Sequence, residues 1–204
     1  MAIYRDAILP RVINVACGTK EIAEWRRKAV EGLTGVVVEP GFGSGLNLPW
    51  YPPEVERVYA IDPAELGQKL AQDRLEESAV TVEFIGLDGQ QIPLEDDSCD
   101  AGLLTFTLCT IPDASQALSE LRRVIKPGGR LHFLEHGHSP DDGVAKWQRR
   151  IEPVQKRVFD GCHLTRDMPE LIADAGFTID SVEASFAKGP KPLSYFYLGV
   201  ATNP

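Results

Sequence analysis

Beyond residue 35 the chain alternates two textures. Val36–Glu39, Arg57–Asp62, Val80–Leu87, Ala101–Phe106 and Arg130–His136 are short β-branched or apolar runs, each the length of a buried strand. Between them, Ala64–Glu77 carries Leu66, Leu70 and Leu75 at helical spacing, and Ala114–Lys126 does the same with Leu118, Leu121, Val124 and Ile125. Apolar strands separated by amphipathic helices predict a parallel sheet covered on both faces.

Lys126-Pro127-Gly128-Gly129 is expected to end the second helix and turn the chain, since proline cannot continue a helix and glycine accepts positive φ. Pro153–Asp174 reads as largely helical. FTIDSVEASFA and LSYFYLGVATN then read as two strands joined through GPKP, the final one antiparallel to the rest. The fold class is α/β: a Rossmann-like, seven-stranded, mostly parallel sheet with helices on both faces and an antiparallel last strand. Two helical pieces in residues 1–34, divided near Cys17-Gly18-Thr19, are expected to form a lid on the sheet's carboxyl edge.

Composition narrows the function. A chain of 204 residues, 43% hydrophobic and 25% charged, suits one globular domain. A net charge of −9, with no basic cluster longer than Arg26-Arg27-Lys28, argues against a nucleic-acid partner. Cys17, Cys99, Cys109 and Cys162 form no CxxC pair, which fits reduced thiols better than a disulfide framework or structural zinc. No apolar stretch approaches the roughly 20 residues of a membrane span, and MAIYRDAILPR lacks a signal peptide's apolar region. A cytoplasmic protein with no stable membrane anchor is expected.

The candidate chemistry begins at VVVEPGFGSG, residues 36–45. Loops after the first strand of open α/β sheets bind ligands, and Gly41, Gly43 and Gly45 allow close approach. Their GxGxG spacing puts Leu46 where a dinucleotide fingerprint has its third glycine. Glu39 beside a pyrophosphate would cost roughly 1–4 kcal/mol, and no Lys or Arg lies between it and Arg57 to offset that. A nicotinamide dehydrogenase is therefore disfavoured, and a ligand bearing a cation is expected. An amino-acid moiety qualifies, its ammonium near Glu39 and its carboxylate on the loop amides. Asp62 ends the next strand as a ribose acceptor, and Asp88, with the Gly89 backbone, is placed for an adenine edge. Adenosine joined to an amino acid without phosphate describes S-adenosyl-L-methionine.

EPGFGSG, AIDP, GLDGQQIPLEDDSCDAGLL and KPGGRL, in this order across residues 35–136, resemble the motifs of class I S-adenosylmethionine-dependent methyltransferases. Pro40 and Phe42 depart from the aliphatic and small residues usual there. WYPPEVERVYAIDP, TLCTIPD, LEHG and GCHLTR further resemble a methyltransferase-like group that includes small thiol methyltransferases of animals, itself similar to ubiquinone and menaquinone methyltransferases. The resemblance implies a lid at 1–34, a cofactor-binding core at 35–136, and acceptor-side helices with a closing hairpin at 137–204. It also implies cofactor contacts at Pro63, Thr107 and Leu108 and a small lipophilic acceptor: a thiol, or N or O of an aromatic or heterocycle. The alternatives are a quinone-type C- or O-methyltransferase, a phospholipid N-methyltransferase, and a non-catalytic nucleoside-binding protein.

Methyl transfer from a sulfonium needs alignment and exclusion of water more than acid–base help. A phenol or hydroxyl acceptor would need a base, whereas a thiol, with a pKa of about 8.5, is partly ionised already. His136, at the end of its strand, is the candidate base. Glu135 is expected on the other face, where it could serve the lid. His136-Gly137-His138 beside Glu135 offers no defined third ligand, so no metal is expected. Cys162 and His163 fall in the segment that should cover the acceptor, and Cys109 follows the fourth strand. Tyr4, Trp50, Tyr51 and Trp147 are candidates to line an apolar acceptor pocket.

Overall fold

A computed structural model describes residues 4, 8–159 and 161–204; the rest of the expected N-terminal lid, residues 1–3 and 5–7, lies outside the described residues. Seven strands form one sheet in the order β3-β2-β1-β4-β5-β7-β6. They are β1 Gly35–Pro40, β2 Val55–Ile61, β3 Thr81–Gly86, β4 Cys99–Thr105, β5 Ile125–His136, β6 Thr178–Phe186 and β7 Tyr195–Thr202. The strands β1 to β5 pair in parallel, and β7 runs antiparallel to both β5 and β6. The reversal at the last strand is the one the sequence predicts.

Neighbouring residues on the central strands point to opposite faces, and both faces are covered. Val37, Leu103 and Leu134 enter one core while Val38, Leu104 and Phe133 enter the other, which is why these strands read as unbroken apolar runs. Helices α1 Leu9–Cys17, α2 Lys20–Val30 and α3 Glu65–Glu77 precede α4 Ala114–Val124, α5 Asp142–Val158 and α6 Met168–Asp174. Among the described residues, no helix is long and apolar enough to cross a membrane.

Four expectations change. First, α2 does not sit on the carboxyl edge: it packs flat on β4, β5 and β7, and the Ala29 carbonyl lies 2.9 Å from His132 Nδ1. Of the expected lid, α1 and the Cys17–Thr19 turn reach that edge, where Ser44 Oγ donates to Asn14 Oδ1 at 2.7 Å. Second, the buried positions of α3 are Gly67 and Ala71, while Leu66, Leu70 and Leu75 are half-buried. A Cβ at Gly67 would stand 2.8 Å from the Gly43 carbonyl oxygen, so only small residues allow this helix to approach the glycine loop.

Third, α4 ends at Val124 and β5 starts at once. Lys126–Gly129 forms a bulge within that strand, where pairing jumps from Cys99 with Ile125 to Ala101 with Arg130. Its outward Lys126 reaches Asp100 at 2.6 Å. Fourth, helix α5 begins eleven residues before Pro153 and carries that proline inside it. Asp141 supplies the missing start signal, its side chain accepting from the Val144 amide at 3.0 Å.

Candidate active site

The loop after β1 folds over a buried carboxylate. Glu39 is 1% exposed; Asn47 Nδ2 donates to its Oε1 and the Tyr51 hydroxyl to its Oε2, both at 2.6 Å. Asn47 in turn accepts from Arg26 Nη1 at 2.8 Å, and the same nitrogen donates to Thr105 Oγ1 at 2.9 Å. An amide thus stands between guanidinium and carboxylate. Burial pushes the Glu39 carboxyl up to about 7, against the opposing pull of Tyr51, Asn47 and Arg26. Tyr51 is spent on this bond rather than on an acceptor pocket.

Loop amides expected to face a ligand have protein partners. Gly41 and Phe42 donate to the Ile61 carbonyl, Gly45 to Phe42, and Gly43 to Asp62 Oδ2 at 2.8 Å. Hydrogen bonds to β2 close the loop and occupy these amides. Gly41 has φ +74°, and a Cβ there would lie 2.1 Å from Thr107 Oγ1, so glycine is required where this loop meets the one after β4. Gly43 has φ +58°, and a Cβ there would make only an ordinary contact, with the Gly41 carbonyl oxygen at 3.8 Å.

At the ends of β2 and β3, Asp62 is 6% exposed and also accepts from the Ala64 amide at 2.8 Å. Burial raises its carboxyl above the usual range, opposed by these two amides. Pro63 beside it is exposed. Exposed Asp88 turns one oxygen to the Gln90 amide at 2.9 Å. Gly89 is buried, a would-be Cβ lying 3.0 Å from Pro40. Leu87, 60% exposed at the carboxyl end of β3, is a rim residue the sequence reading passed over.

After β4 the chain is held from both sides. Glu135, wholly buried, accepts from the amides of Thr107 (2.8 Å), Leu108 (3.0 Å) and Cys109 (3.1 Å). It does not serve the lid, because its oxygens are committed to this loop. From the other side Arg166 donates to the carbonyls of Leu108, Ile111 and Pro112, and the His163 amide donates to Cys109 O at 2.6 Å. Glu152 of α5 accepts from the amides of Leu164 and Thr165. The segment after α5 is therefore strapped onto the loop after β4.

That strapping brings Cys162 to Cys109 and His136. The Cys162 Sγ lies 3.8 Å from His136 Nδ1, and all three residues are buried. Hydrogen bonding from Cys109 pulls the Cys162 thiol down, helped by His136, while the same bond and burial push Cys109 up. His163 joins them through its backbone, its ring nitrogen Nδ1 being 3.3 Å from Cys109 O. Tyr4 donates to the Val158 carbonyl at the end of α5 at 2.7 Å. Trp147 is 55% exposed under Arg150. Two cavities, of about 400 and 280 Å³, lie away from the carboxyl edge, between α4 and the chain end and between α2 and β6/β7.

The sequence reading missed Arg26, Asn47, Glu135 in its actual role, and Arg166. Arg26 stood in a basic run that reads as a solvated face, yet it is 6% exposed with its guanidinium over Phe106. Only its place on the apolar stripe with Ile22, Ala29 and Val30 signals burial.

Comparison with known proteins places this geometry. A family model described as a methyltransferase domain matches residues 38–133. The thiol S-methyltransferase TMT1B of Rattus norvegicus is 35% identical over 80% of this chain and 66% of its own length. The human protein of the same name is 34% identical over 83% of this chain and 71% of its own length. This chain thus spans about two thirds of those relatives. In three dimensions, a putative methyltransferase from Bacillus halodurans superposes with a TM-score of 0.70 at 16% identity, covering 89% of this chain and 98% of that one.

The two buried glutamates differ in what their replacement leaves behind. With its native pKa near 7 instead of the ordinary 4.5, Glu39 keeps a proton in the fold that the unfolded chain releases, so its contribution to stability falls as pH rises through that window. Glu39→Gln should match the parent near pH 5 and exceed it by roughly 3 kcal/mol near pH 8, as read from urea melts; a pH-independent difference would refute the assignment. Burial raises the Glu135 carboxyl to about 7 as well, so it shares that linkage, but Glu135→Ala also orphans three buried amides and should cost at least about 3 kcal/mol near pH 5, less near pH 8.

Proposed function

Because the chain belongs to the S-adenosylmethionine-dependent methyltransferases, we propose that it methylates the sulfur of a small lipophilic thiol. The observation that carries the acceptor is the choice of side chains after β4 and at the end of β5. Glu135 has both oxygens bound to amides, and the groups gathered beside it are the thiols of Cys109 and Cys162 and the rings of His136 and His163. A phenol, with a pKa of about 10, needs a base to take its proton, and no carboxylate here is free to do so; a thiol, at about 8.5, is partly ionised without one.

The residues fit a cationic nucleoside. Glu39 and Asp62 are buried carboxylates whose pKa values burial has raised, so a positive charge nearby relieves them. Gly43 presents backbone with room for a ligand's approach, the nearest atom to a would-be Cβ being the Gly41 carbonyl oxygen at 3.8 Å. In this reading Gly41, Gly43 and Gly45 floor the amino-acid end and Glu39 faces its ammonium through the field rather than as a free acceptor. Asp62 and Pro63 hold the ribose, Asp88 and Gly89 the adenine, and Thr107 and Leu108 the thioether chain. When bound, S-adenosylmethionine supplies a methyl carbon that exchanges its bond to the sulfonium for one to the acceptor sulfur, leaving S-adenosylhomocysteine and a released proton.

The protein's share is placement. Glu135 and Arg166 fix the loop after β4 from opposite sides, Cys109, Cys162, His163 and Tyr4 bound the acceptor, and His136 takes up the thiol proton. The segment from Cys162 to Arg166 excludes water from that end. Free thiols at all four cysteines suit a reducing compartment, the cytoplasm.

S-adenosylhomocysteine release should be measured with matched thiols, phenols, quinols and N-heterocycles. At least tenfold faster turnover of a thiol supports the reading, and a phenol or quinol turning over as fast sinks it. Asp62→Ala should weaken S-adenosylmethionine binding about tenfold or more in titration calorimetry, while His136→Ala should slow turnover and leave that affinity unchanged.

A further inference from the structure

We propose that Cys109 Sγ, Cys162 Sγ and the His136 ring form a three-donor site for a thiophilic divalent cation such as Zn²⁺, with its fourth position turned to the acceptor sulfur. The donor atoms all lie within 4.8 Å of one another, and all three residues are buried. They come from separate elements: the loop after β4, the end of β5 and the loop after α5.

Unrelated contacts aim each donor. Cys109 is fixed by Glu135 and His163, His136 by its pairing with Phe196 across β5 and β7, and Cys162 by its amide bond to the Phe159 carbonyl at 3.0 Å. The Glu152 strap holds the residues that follow Cys162.

An independent observation at the imidazole points to a ligand. His136 is 5% exposed, and among the described residues its Nε2 has no hydrogen-bond partner. Its Nδ1 faces the Cys162 sulfur at 3.8 Å, too far for a strong bond. A buried ring so poorly served is costly, and a metal bond at Nδ1 replaces that weak contact with a strong one.

The spacing suits tetrahedral coordination. Bonds of about 2.3 Å to sulfur and 2.0 Å to nitrogen separate ligand atoms by about 3.5–3.8 Å, and the observed sulfur–nitrogen separation is 3.8 Å. Two thiolates and an imidazole select a zinc-like ion over magnesium or calcium, and two thiolates neutralise its charge. Of the HGH run, from which no metal is expected on sequence grounds, only the first histidine takes part, its partners being the distant Cys109 and Cys162.

Three protein ligands with an open fourth position is the pattern of a catalytic rather than a structural metal. A thiol binding there gives its proton to solvent and stays as a metal-bound thiolate. Once methylated it is a thioether, a far weaker ligand, and leaves. This role rests on the thiol-methyltransferase reading; the site itself does not. With the ion bound, His136 is a ligand, and activation of the thiol passes from base to metal.

Reduced, metal-free protein should be titrated with Co²⁺. One equivalent is expected to produce a thiolate-to-cobalt charge-transfer band and tetrahedral d–d bands, both lost on adding Zn²⁺. Cys109→Ser, Cys162→Ser and His136→Ala should each weaken Co²⁺ binding tenfold or more, and Cys99→Ala should not. Without any variant, Zn²⁺ should shield Cys109 and Cys162 of the parent protein from alkylation but leave Cys17 unchanged, as mapped by mass spectrometry.

An octahedral spectrum without charge transfer, alkylation indifferent to Zn²⁺, or a Cys109–Cys162 disulfide forming in place of metal uptake would overturn the site. Added small thiol should intensify the charge-transfer band of the cobalt protein. An unchanged band, or thiol methylation unaffected by chelation, would overturn the acceptor role alone. An intact cobalt spectrum in a protein that methylates no thiol would remove the functional reading and leave the metal site standing.

Discussion

A carboxylate taken wholly out of water must be met by donors, and at Glu135 the donors are three consecutive backbone amides. The path of the chain after β4 follows from this. With the amides of Thr107, Leu108 and Cys109 turned down to the end of β5, Leu108 and Cys109 offer their carbonyls to Arg166 and His163. Thr107 Oγ1 donates to the Pro40 carbonyl at 3.0 Å, which ties the loop after β4 to the one after β1. One buried charge therefore organises three loops from different parts of the sequence.

Glu39 works under the same constraint with different partners. Side chains rather than amides satisfy it, and one of them, Asn47, passes the contact on to Arg26 of α2. The N-terminal arm is thereby coupled to the carboxyl edge electrostatically even though α2 packs on the sheet's face. A direct ion pair between Arg26 and Glu39 would have cancelled the charge that the cofactor reading needs. The intervening amide keeps the two apart, and burial leaves the carboxyl poised near neutrality, so an arriving cation has something to gain by pulling its proton off.

The sheet was legible because its signal is local: β-branched runs bounded by turn residues state where strands lie, and glycines at fixed spacing state where the loop must be tight. The places of Asp62 after a strand and of Gly41 at a tight turn were readable for the same reason. Glu135 was not, because alternation along a strand tells which face a side chain takes but not which distant amides await it. The helix face of α3 was misread because leucines outrank Gly67 and Ala71 in hydrophobicity, whereas the Gly43 carbonyl at van der Waals range selects for smallness. The convergence of Cys109, Cys162 and His136 depends on the Glu152 and Arg166 straps, which join residues 12 to 58 positions apart, and no spacing in the chain announces it.

The carboxyl edge is divided in two by this construction. From β1 to β3 it carries Glu39, Asp62 and Asp88, hard oxygen acceptors suited to ammonium, hydroxyl and amine groups. From β4 to β5 it carries sulfur and imidazole, its one carboxylate being committed to the backbone. Under the proposed function, the acidic half would hold a sulfonium nucleoside chiefly by charge without competing for its methyl group, and the soft donors would meet an acceptor whose reactive atom is itself soft. The switch point between β1 and β4, where the strand order reverses, is where the halves adjoin. A methyl group carried from one to the other would cross there, over Gly41 and Thr107, the one place where both loops have been pared to contact by the absence of a side chain.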